Sequence, residues 1–333
     1  MLCQGFVENR NLPGEWKKEG LYMEHTGYKL HAGVKTAGSA LKRAASLGVL
    51  VAENDALAAC EERDAILVMS FGTTFRETRE KTIGAVVREV QQAYPSVKVV
   101  LSFTSHIVIK RVKKNEGICY PTPEEALQQL KDEGYTRIAL VSLDIIPGVE
   151  YDYKRAVFDE YKACFHRLTL GTSLMYWQGQ EDKRDDVRDV MAAVVTELPP
   201  CAADEAVLLM AHGTPHPSNA YYAVMQERLQ QLGQESVYIY SVEGRPSLED
   251  VLSKLKKAGT QKVTLVPLML VAGDHAVNDM AGDEPDSHKS ILEAAGFSVQ
   301  TIICGIGENA AVRRIFAARV KEAYEALVAE GEA

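Results

Sequence analysis

The sequence has no apolar run approaching the ~18 residues that cross a bilayer, so a membrane-spanning helix is set aside. It has no excess of positive charge: 37 Lys and Arg stand against 46 Asp and Glu, a formal net charge of −9. Such a balance lacks the electrostatic footprint of a nucleic-acid binder. Its six cysteines (Cys3, Cys60, Cys119, Cys164, Cys201 and Cys304) are scattered, with no CxxC pair. That excludes zinc-ribbon and thioredoxin motifs and points to free thiols in a reducing compartment. There is no HExxH helix and no GxxxxGK[ST] loop, and Gly305-Ile306-Gly307 lacks a third glycine. A closed structural zinc site, ATP dependence and NAD dependence therefore find no support. The first residues carry no secretory pattern, and a cytoplasmic protein is expected.

What is present is an ordinary folded composition: 333 residues, 46% hydrophobic and 25% charged, enough for two domains or one large one. Residues 1–62 are polar and Gly-rich and read as an N-terminal extension, with short helices at Ser39–Ala45 and Asp55–Arg63. From Asp64 onward short apolar runs alternate with amphipathic stretches. Strands are expected at Ala65–Met69, Val97–Phe103, Ile138–Leu143 and Arg167–Leu170, with helices at Arg79–Tyr94 and Pro123–Glu133. The second helix opens on a capping box, Thr122 with Glu125, and Pro123 at its first position. The order then returns: strand Ala206–Met210, helix Tyr221–Leu232, strand Val237–Val242, helix Leu248–Lys257, and strands Val263–Leu270 and Val299–Ile303. Alternation of this kind defines an α/β protein with parallel sheets.

The halves also share letters. MSFGTT (69–74) matches MAHGTP (210–215), and EGYTRIALVSLDIIPG (133–148) matches AGTQKVTLVPLMLVAG (258–273). The offsets differ, which places extra residues in the first half at roughly 105–120. That stretch, SHIVIKRVKKNEGICY, holds Lys110, Arg111, Lys113 and Lys114. The repeat implies two similar lobes, residues 63–200 and 201–333, facing each other.

Ligands of parallel sheets bind beyond the C-terminal strand ends. There the sequence places Ser70 to Thr74, Ser105-His106, Asp144, Glu150, His212 to His216, Glu243-Gly244-Arg245 and Gly273-Asp274-His275. Imidazoles and carboxylates suit a divalent first-row metal held without a thiolate cage. Each residue also has a plainer use. His212 and Asp144 could cap helices, and His275 could simply bond Asp279. Ser70 and Thr73 could shape their loop, and the basic run could be the solvated face of an amphipathic helix.

LVMSFGTTFRETREKTIG, FTSHIVIKR, EEALQQLKDEGY, LLMAHGTPH and LVPLMLVAGDHAVNDMAGD resemble the anaerobic cobaltochelatases of cobalamin biosynthesis (the CbiK type), from about residue 64 to the C-terminus. The wider group is the ATP-independent class II chelatases. The resemblance implies two Rossmann-like lobes with a tetrapyrrole cleft between them and insertion of Co²⁺ into sirohydrochlorin. The partners are then a tetrapyrrole and a divalent metal, with no tightly bound cofactor, no nucleic acid and no membrane; homo-oligomerisation is left open. His212 matches the family's histidine on the MAHG-type loop, as metal ligand and proton acceptor. The family's other histidine lies in a segment like SLHIINGDEY; here SLDIIPGVEY puts Asp144 in its place. His212, Asp144 and His275 are the expected catalytic groups, and the same three with Glu243 the metal ligands. Ser70, Thr73, Arg76, Lys110, Arg111 and Arg245 are expected to bind the substrate, the cations through its carboxylates. Asp144 leaves a ferro- or nickel-chelatase open, as well as a binding protein without turnover.

Overall fold

The computed structural model describes residues 33–329; Cys3, His25 and His31 lie outside the described residues. Its elements run α1 (Ser39–Ala45), β1 (Leu50–Glu53), β2 (Asp64–Ser70), α2 (Arg76–Lys81), α3 (Ile83–Ala93), β3 (Lys98–Phe103), α4 (His106–Glu116), α5 (Pro123–Asp132), β4 (Arg137–Ser142), α6 (Val149–Tyr161), β5 (Arg167–Leu170), α7 (Asp186–Val195), β6 (Glu205–Ala211), α8 (Tyr221–Gln231), β7 (Val237–Ser241), α9 (Leu248–Ala258), β8 (Lys262–Pro267), α10 (His288–Ala294), β9 (Ser298–Thr301) and α11 (Ala310–Val328).

The central strands are apolar throughout because helices cover both faces. In β2 every residue from Ala65 to Ser70 is buried, and in β6 every residue from Ala206 to Ala211. One sheet has the order β1-β5-β4-β2-β3 and the other β7-β6-β8-β9. Without β1 the two orders superpose: the first strand is inside, the second beside it at an edge, and the third and fourth lie on the other side. All these pairings are parallel. The duplication read from the letters is thus a duplication of topology. The loops after β2 and β6 even share a backbone turn, with Gly72 at φ 89° and Gly213 at φ 88°. That left-handed region is one glycine enters without a steric cost.

Several elements differ from the sequence reading. Arg79–Tyr94 is two helices rather than one, parted at Thr82 (φ −110°, ψ −86°), whose hydroxyl donates to the Thr78 carbonyl at 2.5 Å. A threonine that bonds back into its own turn competes with the helix backbone. Asp55–Arg63 contains a single 3₁₀ turn, Asp55–Leu57. Within the stretch read as an extension, β1 pairs antiparallel with β5, and Val49 and Leu50 are buried beneath it. The basic run is the helix α4, capped by Ser105 and ended by Gly117; Val112 faces inward and Lys113 and Lys114 outward.

The last helix, α11, comes after the second lobe in the chain but lies on the first. Tyr324 donates to Asp64 at 2.9 Å, and Arg313 meets Glu89 at 2.6 Å. Buried Arg319 reaches Asp186 at 2.6 Å, and Asp186 also takes the Tyr176 and Trp177 backbone N–H groups. Burial pulls the Arg319 guanidinium below its ordinary pKa. One apolar cluster joins Val68 and Val141 of the first sheet to Leu209 and Val266 of the second through Val312 and Phe316. A shared core fixes the lobes against each other.

Candidate functional site

The C-terminal ends of both sheets open on one cavity of about 730 Å³, in the range of cofactor-sized pockets. Ser70, Thr73, Asp144, His212, Glu243 and His275 all line it. On the second lobe, His212, Glu243 and His275 come together with their ligand atoms within 4.8 Å of one another. His212 and Glu243 lie just past β6 and β7, and His275 lies further on in the loop after β8, which ends at Pro267. His212 sits just past β6 on the Gly213 turn, where a Cβ would lie 2.5 Å from the Gly244 nitrogen. That close approach lets the β6 and β7 loops meet and sets Glu243 beside His212, and the Glu243 N–H donates to the His212 carbonyl at 2.8 Å.

His275 opens a single π-helical turn, His275–Met280, a distortion that recurs at functional sites. The turn brings Asp279 onto its Nδ1. A carboxylate accepts, so Nδ1 is the donor, and in the neutral ring Nε2 is then the nitrogen with the free lone pair. His212 is arranged alike: its Nδ1 lies 3.0 Å from the Gly213 carbonyl oxygen, again an acceptor. The two rings stand edge to face, centroids 4.8 Å apart. Two imidazoles with free Nε2 atoms and one carboxylate are a borderline N₂O donor set for a divalent metal. His212 and Glu243 are exposed, so an ion has open access. The sequence offers Asp279 only as a plain hydrogen-bond partner of His275; the same contact fixes the orientation of the ring.

Asp144 lines the cavity but does not belong to the trio. Its carboxylate takes the Ser142 hydroxyl at 2.7 Å and is ion-paired with Lys154, whose side chain is wholly buried. It caps no helix: Gly148 stands at the N-cap of α6. Lys154 carries no signal in the sequence, since only the packing of α6 against β4 brings it to Asp144.

The expected cations divide. Arg111 lines the cavity from α4. Arg76 is exposed and pairs with Glu80 at 3.0 Å, and Arg245 is exposed and pairs with Asp250 at 2.8 Å. Lys110 is exposed on α4 but is not part of the lining. These three lie outside the lining of the cavity, Arg76 and Arg245 each beside a carboxylate of its own helix end or loop. Ser70 and Thr73 line the wall and also shape their loop. Ser70 Oγ accepts from Gly72 N–H, and Thr73 Oγ1 from Phe75 N–H. His106, the first residue of α4, is exposed and off the lining, while His216 bridges the lobes at the rim, 3.3 Å from Asp152.

Two parallel α/β lobes, a cavity between their strand ends and an open His-Glu-His cluster on one wall define a protein that hands a divalent metal to a ligand in its cleft. The profile of the cobalt chelatase (CbiK) family matches residues 64–325, and the chain belongs to that family. It is 35% identical over 268 residues to the sirohydrochlorin cobaltochelatase of Salmonella typhimurium, covering 80% of this chain and 99% of that one. It is 34% identical over 250 residues to sirohydrochlorin cobaltochelatase CbiKC of Nitratidesulfovibrio vulgaris, covering 73% and 84%. Among solved structures, SirB from Bacillus subtilis with Fe³⁺ superposes with a TM-score of 0.53 at 20% identity, covering 80% of this chain and 96% of that one. That likeness supports the class II chelatase fold. Among the described residues no helix is long and apolar enough to cross a membrane.

Proposed function

We propose that this protein inserts Co²⁺ into sirohydrochlorin without ATP, and that His212, Glu243 and His275 hold the incoming ion. The observation that carries the assignment is the trio itself: three donors from the loops after three strands, on the wall of a macrocycle-sized cavity, in a chain of the cobalt chelatase family. The chemistry comes from charge. A free-base tetrapyrrole releases two N–H protons as a doubly charged ion enters, so the site needs proton acceptors beside metal donors. Glu243 and the imidazole of His212 serve both needs in turn, because each regains a free lone pair once the ion passes to the macrocycle. Three exposed or half-exposed N/O donors bind less tenaciously than a thiolate cage, as a site that must let go requires. Asp144, neutralised by Lys154, offers the cavity a hydrogen-bond acceptor rather than a metal ligand.

An anaerobic absorbance time course tests this, with sirohydrochlorin and Co²⁺, Fe²⁺ or Ni²⁺ against no-enzyme controls. Many turnovers with Co²⁺ fastest are expected. A faster rate with another metal would reassign the cargo, and a spectral change that stops at one equivalent would make the chain a binding protein. His212→Ala should lower the insertion rate by about 10²–10⁴, the usual loss of a positioned acid–base group; near-normal turnover in that variant would reject its role.

A further inference from the structure

The lobes repeat a backbone but not its chemistry, and the difference falls on the cavity. The paired registers of β2 and β6 put Phe71 where the second lobe has His212, each preceding a glycine of the same left-handed turn. The 133–148 and 258–273 match, carried two residues further, puts Val149 at the place of Asp274 and Glu150 at that of His275. The first lobe thus offers apolar side chains, Phe71 and Val149, at two of these places and keeps a carboxylate, Glu150, at the third. The inserted helix α4 adds Ile107. Phe71, Ile107 and Val149 are 51%, 64% and 55% exposed, and all three line the cavity. Apolar area left in water is a driving force for whatever ligand covers it.

Phe71 stands on a braced base. The missing Cβ of Gly72 makes room for the Phe103 ring, which would otherwise lie 2.7 Å from it. Phe103 stacks on Tyr120, centroids 4.1 Å apart. The buried Arg79 guanidinium sits 5.8 Å from the Tyr120 centroid and donates to the Thr73 carbonyl at 3.1 Å. Tyr120 belongs to the return of the insertion, so the extra residues supply both Ile107 and the brace.

We propose that Phe71, with Ile107 and Val149, forms the platform for one face of the conjugated macrocycle, so that the opposite face is presented to His212, Glu243 and His275 and the metal enters from the second-lobe side. Phe71 is then a substrate-positioning residue with no part in holding the ion. The inference rests on the chelatase reading above. Aromatic stacking adds to the area covered, and Phe71→Ala should weaken the binding of metal-free sirohydrochlorin about tenfold, about 1.4 kcal/mol.

The test uses the full chain in anaerobic titrations with metal-free sirohydrochlorin, Co²⁺ titrations by calorimetry, and steady-state kinetics. Phe71→Ala should raise Kd and KM for sirohydrochlorin, change kcat less, and leave the Co²⁺ Kd unchanged, while Phe71→Trp restores binding. Ile107→Ser, on a separate element, should act in the same direction. Wild-type sirohydrochlorin affinity in Phe71→Ala, or an equal loss of Co²⁺ affinity, would overturn the proposal. If the wild-type chain itself fails to metallate sirohydrochlorin, the chelatase reading falls; if it turns over while Phe71→Ala binds normally, only the platform does.

Discussion

Replacing Asp144 by histidine is the substitution that the family comparison of motifs invites, and the structure predicts that it damages the protein. The Asp144 carboxylate is the ion-pair partner of Lys154, whose side chain is 0% exposed, while Asp144 itself is 11% exposed. Asp144→His leaves an ammonium group buried against an imidazole. Removing one partner of a buried pair costs about 3–5 kcal/mol, because the other charge stays desolvated. At roughly 2 °C per kcal/mol for a chain of this size, the midpoint of thermal unfolding should fall by about 6–10 °C. Lys154→Met alone should cost a similar amount. The double variant Asp144→His/Lys154→Met leaves no buried charge and should cost no more than either single variant, a coupling of at least about 3 kcal/mol in a double-mutant cycle. Circular dichroism melts of the four proteins measure this directly. On the proposed trio, to which Asp144 does not belong, the Co²⁺ Kd of Asp144→His should change by less than about threefold. A single variant as stable as the wild type, or a strictly additive cycle, would refute the argument that Asp144 is held by Lys154.

The site's surroundings give two further outcomes. Gly213→Ala forces a left-handed backbone at a cost of about 1–2 kcal/mol and drives a Cβ into the Gly244 nitrogen at 2.5 Å; insertion should fall sharply. Gly259→Ala, also left-handed at φ 75° but with open space around it, should lower the melting point and leave the rate alone; equal rates in both variants would count against the turn as the support of His212. His288 tests pH dependence. Burial depresses its imidazole pKa, opposed in part by Asp279 and Glu249, while the Tyr240 hydroxyl lies 3.0 Å from its Nδ1. A histidine with a folded pKa below its unfolded value of about 6.5 contributes stability above that value and loses it as pH falls through the folded pKa. Metal-free protein should therefore melt progressively lower from pH 7 toward 5, and His288→Gln should flatten that slope; an unchanged slope would exclude His288 as its source.

The repeat was legible because strand letters carry it. MSFGTT and MAHGTP mark equivalent loops, and the two sheets do share one strand order. The insertion was legible as a difference of offsets, and it is a helix. His212 and Glu243 were legible because each stands just past the end of a strand, His275 because it lies in the loop that follows one, and parallel strands deliver their C-terminal loops to one edge. The break at Thr82 and the strand β1 were not legible. Thr82 breaks the helix through a bond back to Thr78 that any helical threonine could make or decline, with Gly307 packed on it from far along the chain, and β1 depends on β5, more than a hundred residues on, offering an edge to Leu50–Glu53. Lys154 was hidden because only the packing of α6 against β4 turns it onto Asp144, ten residues away. The basic residues could not be placed from letters, because charge in a sequence has no direction. Arg76 and Arg245 are taken by carboxylates four and five residues away, and Arg111 alone of the cations named from the sequence turns to the cavity.

That single cation decides how a polyanionic macrocycle must lie. Asp144, Glu150, Glu243 and Asp274 all line the cavity. Asp144 is neutralised by Lys154, Glu150 is engaged by the Thr104 hydroxyl at 2.7 Å, and Asp274 by the Asn278 amide at 2.9 Å. A ligand edged with carboxylates gains nothing by pushing them into this interior and would meet like charge there. Its carboxylates belong at the mouth, where Arg111 waits and water solvates the rest, and its apolar ring belongs inside. Glu243 is then the carboxylate best placed to meet the metal and the departing protons. The site attracts a cation through the same charge that keeps the substrate's own acids outside.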